Sequence, residues 1–255
     1  MARLIVVADA SAVAEAAADR VVAVLGGAVE MRGVAHLALT GGSSAAALYG
    51  ALLAPSRRST VDWSRVEAWW GDDRLVGRSD PRSNVLVARP ILEPDHGLGL
   101  DQRRVHPFPI DDAAEGGHQA AWVADTYAAR LRERLPSNGA GDPIFDLVLL
   151  GMGADGHILS VFPGSAALEP GTPIVTDVPA PTHIEPHVAR VAINPRLVTA
   201  ARAVIVMCSG AAKADRLAEV LEGPVDQPRL PAQLACGANA TWIVDGAAAA
   251  RLSRA

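Results

Sequence analysis

The feature that most constrains this chain is a set of short apolar runs, each about five residues long, that end in clusters of glycine, serine or acidic residues. Leu4–Val7, Val34–Leu39, Val66–Trp70, Phe145–Leu150, Ala203–Cys208 and Thr241–Val244 all read this way. A run this short and this evenly apolar fits a β-strand buried on both faces, as in a parallel sheet covered by helices. The intervening segments supply helices: alanine-rich Ala12–Leu25, stopped by Gly26-Gly27; Ala45–Leu53, ended near Pro55; Ala113–Leu135; and Ala211–Leu221. Strands alternating with helices predict an α/β fold with a mainly parallel central sheet and helices on both faces. Val188–Ile193, after the proline-rich stretch Pro179–Pro186, reads as either an antiparallel strand or a subdomain strand, and a small additional β-containing subdomain is expected. No repeat or low-complexity linker divides the 255 residues, so one domain over 1–255 is expected.

Composition narrows the function class. Half of the residues are hydrophobic and a fifth are charged, which excludes wholesale disorder, and no apolar run approaches the roughly 20 residues that span a bilayer. The opening run is interrupted by Asp9, too early for a secretory signal, so a soluble cytoplasmic protein is expected. Cys208 and Cys236 show no C-x-x-C spacing and read as buried thiols rather than a disulfide or a metal site. Net charge is −5 with neither sign in a block, so neither a nucleic-acid nor a membrane partner is expected. Lys213 is the only lysine among 23 basic residues.

Ligands of open α/β sheets bind outside the carboxyl ends of the strands, which directs attention to four loops. Thr40-Gly41-Gly42-Ser43-Ser44 precedes a predicted helix and fits either a cradle for a phosphate or sugar oxygens or an ordinary turn with a serine cap. Gly71-Asp72-Asp73-Arg74 sets two carboxylates and a guanidinium at a strand end; Arg74 can bind an oxyanion bidentately or form a surface ion pair. Downstream, Ser83 and Asn84 can donate hydrogen bonds to a ligand or cap the next helix. Gly151 to His157 (GMGADGH) delivers Asp155 and His157 together from a buried strand. A histidine with an ordinary pKa of about 6.5 can take a proton from water near neutrality, which suits hydrolysis of an activated ester. The fourth loop, Cys208 to Lys213, places the ammonium at a helix N-terminal turn, as a phosphate contact or a solvated side chain.

Three patterns compete. Gly151, Gly153 and Gly156 match the dinucleotide fingerprint, but only Ile158–Phe162 precedes Pro163-Gly164, too short for the helix such a motif needs. His183 and His187 stand four apart, yet Pro186 and its neighbouring prolines discourage the helix of a zinc site. Ser165 lacks the G-x-S-x-G elbow of serine hydrolases. Neither a cofactor nor a metal is expected.

The stretch Phe145–His157 (FDLVLLGMGADGH), continuing to Ser160–Gly164, resembles the signature of the 6-phosphogluconolactonases. Thr40–Ser43, Gly71–Arg74 with Ser83 and Asn84, Gly210–Lys213, Leu230–Ala232 and Thr241–Asp245 resemble further blocks of that family, in order along nearly the whole chain. The resemblance implies a fold like that of glucosamine-6-phosphate deaminase and ribose-5-phosphate isomerase. It also implies hydrolysis of a phosphosugar lactone in the oxidative pentose phosphate pathway, without a cofactor. By resemblance His157 is the base that activates water, Asp155 its neighbour and Arg74 an oxyanion or phosphate ligand. Lys213 and Gly41-Gly42-Ser43 contact the phosphate, and Asp72, Ser83 and Asn84 complete the substrate-binding set. The chain departs from the commonest pattern at Asp73, where glutamate is frequent, at Ala154, where proline is, and at Ile158, where threonine is. The related deaminases also favour isoleucine after D-G-H, but they continue with Asn-Glu-Pro where this chain has Val161-Phe162-Pro163.

Two rival functions follow from the same resemblance. A phosphosugar deaminase or isomerase would release ammonia from glucosamine-6-phosphate. A non-catalytic sugar-phosphate sensor is expected to carry a helix-turn-helix domain, whereas this chain opens on its first core strand.

Overall fold

The continuous apolar runs become parallel strands. The computed structural model describes residues 1–253. β1 (Arg3–Val7) leads into α1 (Ala10–Arg32), β2 (Ala35–Leu39) into α2 (Ser43–Leu52) and the single turn α3 (Pro55–Arg58). β3 (Val66–Trp70) passes through Gly71 into β4 (Asp72–Arg74), followed by α4 (Asn84–Leu92). β5 (Val105–His106), α5 (Ile110–Gly116) and α6 (Ala120–Arg134) precede β6 (Leu147–Gly151). β7 (Val175–Val178), β8 (Arg190–Ile193), α7 (Arg196–Ala200), β9 (Val204–Cys208), α8 (Ala214–Glu222), β10 (Ala240–Asp245) and α9 (Gly246–Ala249) complete the order.

Seven strands form one parallel sheet in the order β1-β10-β9-β6-β2-β3-β5. Every residue of β2, β3, β9 and β10 is buried, so helices cover the sheet on both faces and the absence of alternation in these runs is explained. α1 lies along β2, β6, β9 and β10 on one side, while Tyr127 of α6 donates its hydroxyl to the Trp70 carbonyl and accepts from the Trp70 N–H. β4, β8 and β7 form a separate antiparallel sheet, with Arg74 opposite Arg190 and Asp72 opposite Ala192. The expected small β-containing subdomain is this sheet.

The order of the strands reverses between β2 and β6, so their carboxyl ends form the crevice where a ligand of such a sheet belongs. The β2–β6 ladder there is short, pairing only Leu37 with Leu147 and Ala38 with Val148, whereas β2 and β3 pair over five positions.

Three local expectations are corrected. Gly26-Gly27 does not stop α1, which runs on to Arg32 and is capped by Gly33. Leu25 and Ala28 are buried on either side, and that packing outweighs the roughly 1 kcal/mol cost of each mid-helix glycine. Ala113–Leu135 is two helices, because Gly117 adopts a left-handed conformation and closes α5. The polar segment after Trp70 is not all loop, since Asp72–Arg74 pairs with β8.

Candidate active site

The loops after β2, β3, β6 and β9 converge on one cleft, joined by Arg190 of β8. Gly41, Gly42, Ser43, Asp72, Arg74, Asn84, His157 and Lys213, all anticipated from the sequence, line it. Two others do not. Asp155 stands behind His157, and Ser83 is fully buried, donating its hydroxyl to Asp73 at 2.9 Å and accepting from the Val85 N–H to cap α4. Ser83 thus supports the wall of the cleft rather than its lining.

The His157 ring is held from several sides. Its Nδ1 lies 2.6 Å from Asp155 Oδ1, which also accepts from the His157 backbone N–H at 3.1 Å. An ionised carboxylate only accepts, so Nδ1 is the donor in this contact, and in the neutral imidazole the free base is then Nε2. Burial pushes the Asp155 carboxyl up, but the hydrogen bonds and charge of His157, with a further bond from His183, outweigh it and hold the group well below the usual carboxylate range. Phe162 packs against the imidazole, ring centroids 4.7 Å apart. Gly153 makes the arrangement sterically possible, because a Cβ there would lie 2.1 Å from His157 Nδ1. Two residues on, Leu159 sits at φ 54, a strained conformation for a leucine and one that clusters at functional sites.

The opposite wall is a network around β4. Asp73 is nearly inaccessible and accepts from the backbone N–H groups of Arg74 and Asn84 and from Ser83. Burial raises its carboxyl to about 6 although these donors pull it down. Asn84 donates to the Asp72 carbonyl at 2.8 Å and accepts from Arg74 Nη1 at 2.9 Å. Its amide packs so tightly on Gly41 that a Cβ there would fall 1.7 Å from Asn84 Oδ1, which ties the loop after β2 to this wall. Ser160 donates to Asp72 Oδ2 at 2.5 Å. Ser43 opens α2, so the first N–H groups of that helix face the cleft.

Arg190 and Ser160 were not anticipated. Arg190 is 3% exposed, its guanidinium 5.2 Å over the Phe162 ring, and its Nε has no hydrogen-bond partner. Burial pulls this group down from its ordinary value; nearby Arg74 adds to the effect while Asp72 and Asp155 oppose it. Arg74 Nε is likewise unpartnered. Among the described residues, Lys213 makes no ion pair within 4.0 Å of a carboxylate, and no group of three or more His, Cys, Asp or Glu side chains is arranged to hold a metal. His183 and His187 are directed to different partners, Asp155 and the Pro181 carbonyl.

The cleft therefore presents three cations, a helix N-terminus and a carboxylate-backed imidazole. Residues 8–243 match the model of the family described as glucosamine-6-phosphate isomerases/6-phosphogluconolactonase, and the chain belongs to that family. Its relatives narrow the comparison. It is 35% identical to the 6-phosphogluconolactonase of Streptomyces coelicolor, covering 99% of this chain and 95% of the relative, and 35% identical to that of Mycobacterium tuberculosis, covering 96% of each. The structure of 6-phosphogluconolactonase from Trypanosoma brucei superposes with a TM-score of 0.86 at 26% identity over 99% of both chains. A monomeric glucosamine-6-phosphate deaminase shares the fold at TM-score 0.77 and 15% identity, covering 98% of this chain and 99% of the other.

Proposed function

We propose that this chain is a cytoplasmic lactonase that hydrolyses 6-phospho-D-glucono-1,5-lactone to 6-phospho-D-gluconate in the oxidative pentose phosphate pathway. The observation that carries the reading is the Asp155–His157 pair opening on a cleft whose cations make no ion pair among the described residues. His157 Nε2 takes a proton from water as the water oxygen attacks the C1 carbonyl. The tetrahedral oxyanion then collapses, the bond to the ring oxygen breaks, and the imidazolium returns its proton to that oxygen. Taking the water proton makes the His157 imidazole a cation, which Asp155 stabilises.

Charge complementarity distributes the remaining roles. The N–H groups at the start of α2, with Gly41, Gly42 and Ser43, and the Lys213 ammonium bind the phosphate. Arg74 and Arg190 face each other across the β4–β8 register and supply positive charge to the phosphate and the developing oxyanion. Asp72, fixed by Ser160 and Asn84, orients sugar hydroxyls. No step requires a cofactor or a metal, and the reading involves no nucleic-acid or membrane partner.

The test is hydrolysis of freshly generated lactone, corrected for the spontaneous reaction at each pH. Wild type should exceed the blank and His157→Ala should lose about 10²- to 10⁴-fold in kcat. Ammonia release from glucosamine-6-phosphate without lactone hydrolysis would overturn the reading in favour of a deaminase, and binding of phosphosugar without turnover would favour a sensor.

A further inference from the structure

Asp155 carries two imidazoles. Its Oδ1 takes the bond from His157, and its Oδ2 lies 3.0 Å from Nε2 of His183, 28 residues further along the chain. His183 belongs to the segment between β7 and β8, remote from the loop that bears the catalytic pair. Its ring also meets Phe162 edge-on at 5.5 Å, and Phe162 is the ring packed against His157. Thus His183 reaches the back of the base along two routes, one through a carboxylate and one through an aromatic ring.

We infer that His183 is a positioning residue for the catalytic base: by donating to the second oxygen of Asp155 it fixes the plane of that carboxylate, and hence the His157 imidazole. The inference rests on the lactonase reading for its kinetic consequence only. His183 does not line the cleft, and neither does Asp155, so its effect on the reaction passes through His157 rather than through the substrate.

The reasoning is geometric. With Oδ2 unbonded, an Asp155 side chain that is 19% exposed can turn that oxygen to water and rotate the acceptor seen by His157 Nδ1. With both oxygens engaged, the rotation breaks a hydrogen bond. The segment bearing His183 is stiffened by Pro179, Pro181 and Pro186, and it is closed on itself by His187 Nδ1 at 2.7 Å from the Pro181 carbonyl. Arg190 Nη2 donates to the Pro186 carbonyl at 3.3 Å, which ties the same segment to a cation of the cleft. The other charged groups nearby are accounted for, since Glu185 pairs with His187 at 3.1 Å and Arg190 lies across the Phe162 ring. A half-exposed histidine held only by its own loop would need no carboxylate partner, and this one takes the catalytic pair's.

His183→Ala and His183→Gln test this, the glutamine keeping an N–H donor at similar reach. In His183→Ala kcat should fall about tenfold with KM within about twofold, as expected when a catalytic group is slightly misplaced. In proton NMR, the low-field resonance of the His157 Nδ1–H, present in wild type, should broaden away in His183→Ala, and His183→Gln should restore both resonance and kcat. Wild-type kcat and resonance in His183→Ala would overturn the inference, as would a raised KM with unchanged kcat, or a His183→Gln enzyme no better than His183→Ala. If wild type has no lactonase activity, the proposed function fails while the resonance comparison still decides the role of His183.

Discussion

The two ends of the central sheet both bury charge, but they use it differently. At the amino end Asp146 takes Arg32 at 2.7 Å, Arg202 at 3.2 Å and the His36 backbone N–H, and Glu67 takes Arg104 and His106. Each carboxylate there has its cations, and His36 Nδ1 is the one unpartnered polar side-chain atom of the cluster. At the carboxyl end the balance is inverted: among the described residues, Nε of both Arg74 and Arg190 is unbonded and Lys213 makes no ion pair. Paired buried charge serves the fold, whereas the buried Arg190 and the half-buried Arg74 and Lys213 lack such partners, a cost to the fold that fits the anion-binding role proposed for them.

That contrast can be broken by experiment, and the largest effect is expected at Arg190. Arg190→Met should lower kcat/KM by about 10²- to 10³-fold, the range for a lost transition-state donor, without lowering the unfolding midpoint in denaturant, because the removed cation was buried without an ion pair. A loss of stability with retained turnover would place Arg190 among the structural charges instead. Asp146→Ala should do the reverse, costing about 2–4 kcal/mol in urea unfolding by stranding its partners, while kcat/KM of the folded protein stays within about twofold.

The smallest effect is electrostatic and concerns Asp73. Its folded value of about 6 lies above the unfolded value of about 3.9, so the native chain binds a proton that the unfolded chain does not between roughly pH 4 and 6. The resulting stabilisation is complete below the unfolded value and lost as pH rises through about 6. Compared with Asp73→Asn, wild type should therefore gain on the order of 2 kcal/mol of unfolding free energy as pH falls from 7 to 4. A flat difference between the two proteins would show that the three donors on Asp73 keep it ionised throughout.

Much of this architecture was legible because its signals are local. An apolar run such as Ala203–Cys208 has few options other than a buried strand, and Thr40–Ser43, Gly71–Arg74 and Gly151–His157 carry their glycines and reactive groups within a few residues of a strand end. The site's remaining parts depend on pairing across the chain. Arg190 heads an unremarkable apolar strand, and its burial in the cleft follows only from the antiparallel register that sets it opposite Arg74. His183 stands four residues from His187 among prolines, a spacing unfit for a metal, and nothing in that spacing reports the reach back to Asp155. β4 was concealed for the same reason, since three polar residues become a strand only when β8 supplies the ladder. α1 shows the converse, where two glycines suggest a stop and the packing of Leu25 and Ala28 carries the helix through.

The short β2–β6 ladder has a consequence for ligation. Beyond Ala38 and Val148 no further residues of β2 and β6 are paired, so the half of the sheet ending at β5 and the half ending at β1 diverge at the cleft as two lips. Gly42 and Arg74 stand on one lip, and His157 and Lys213 on the other. A molecule that engages both closes the seam as a brace, and by mass action its binding energy becomes resistance to the parting of the two halves.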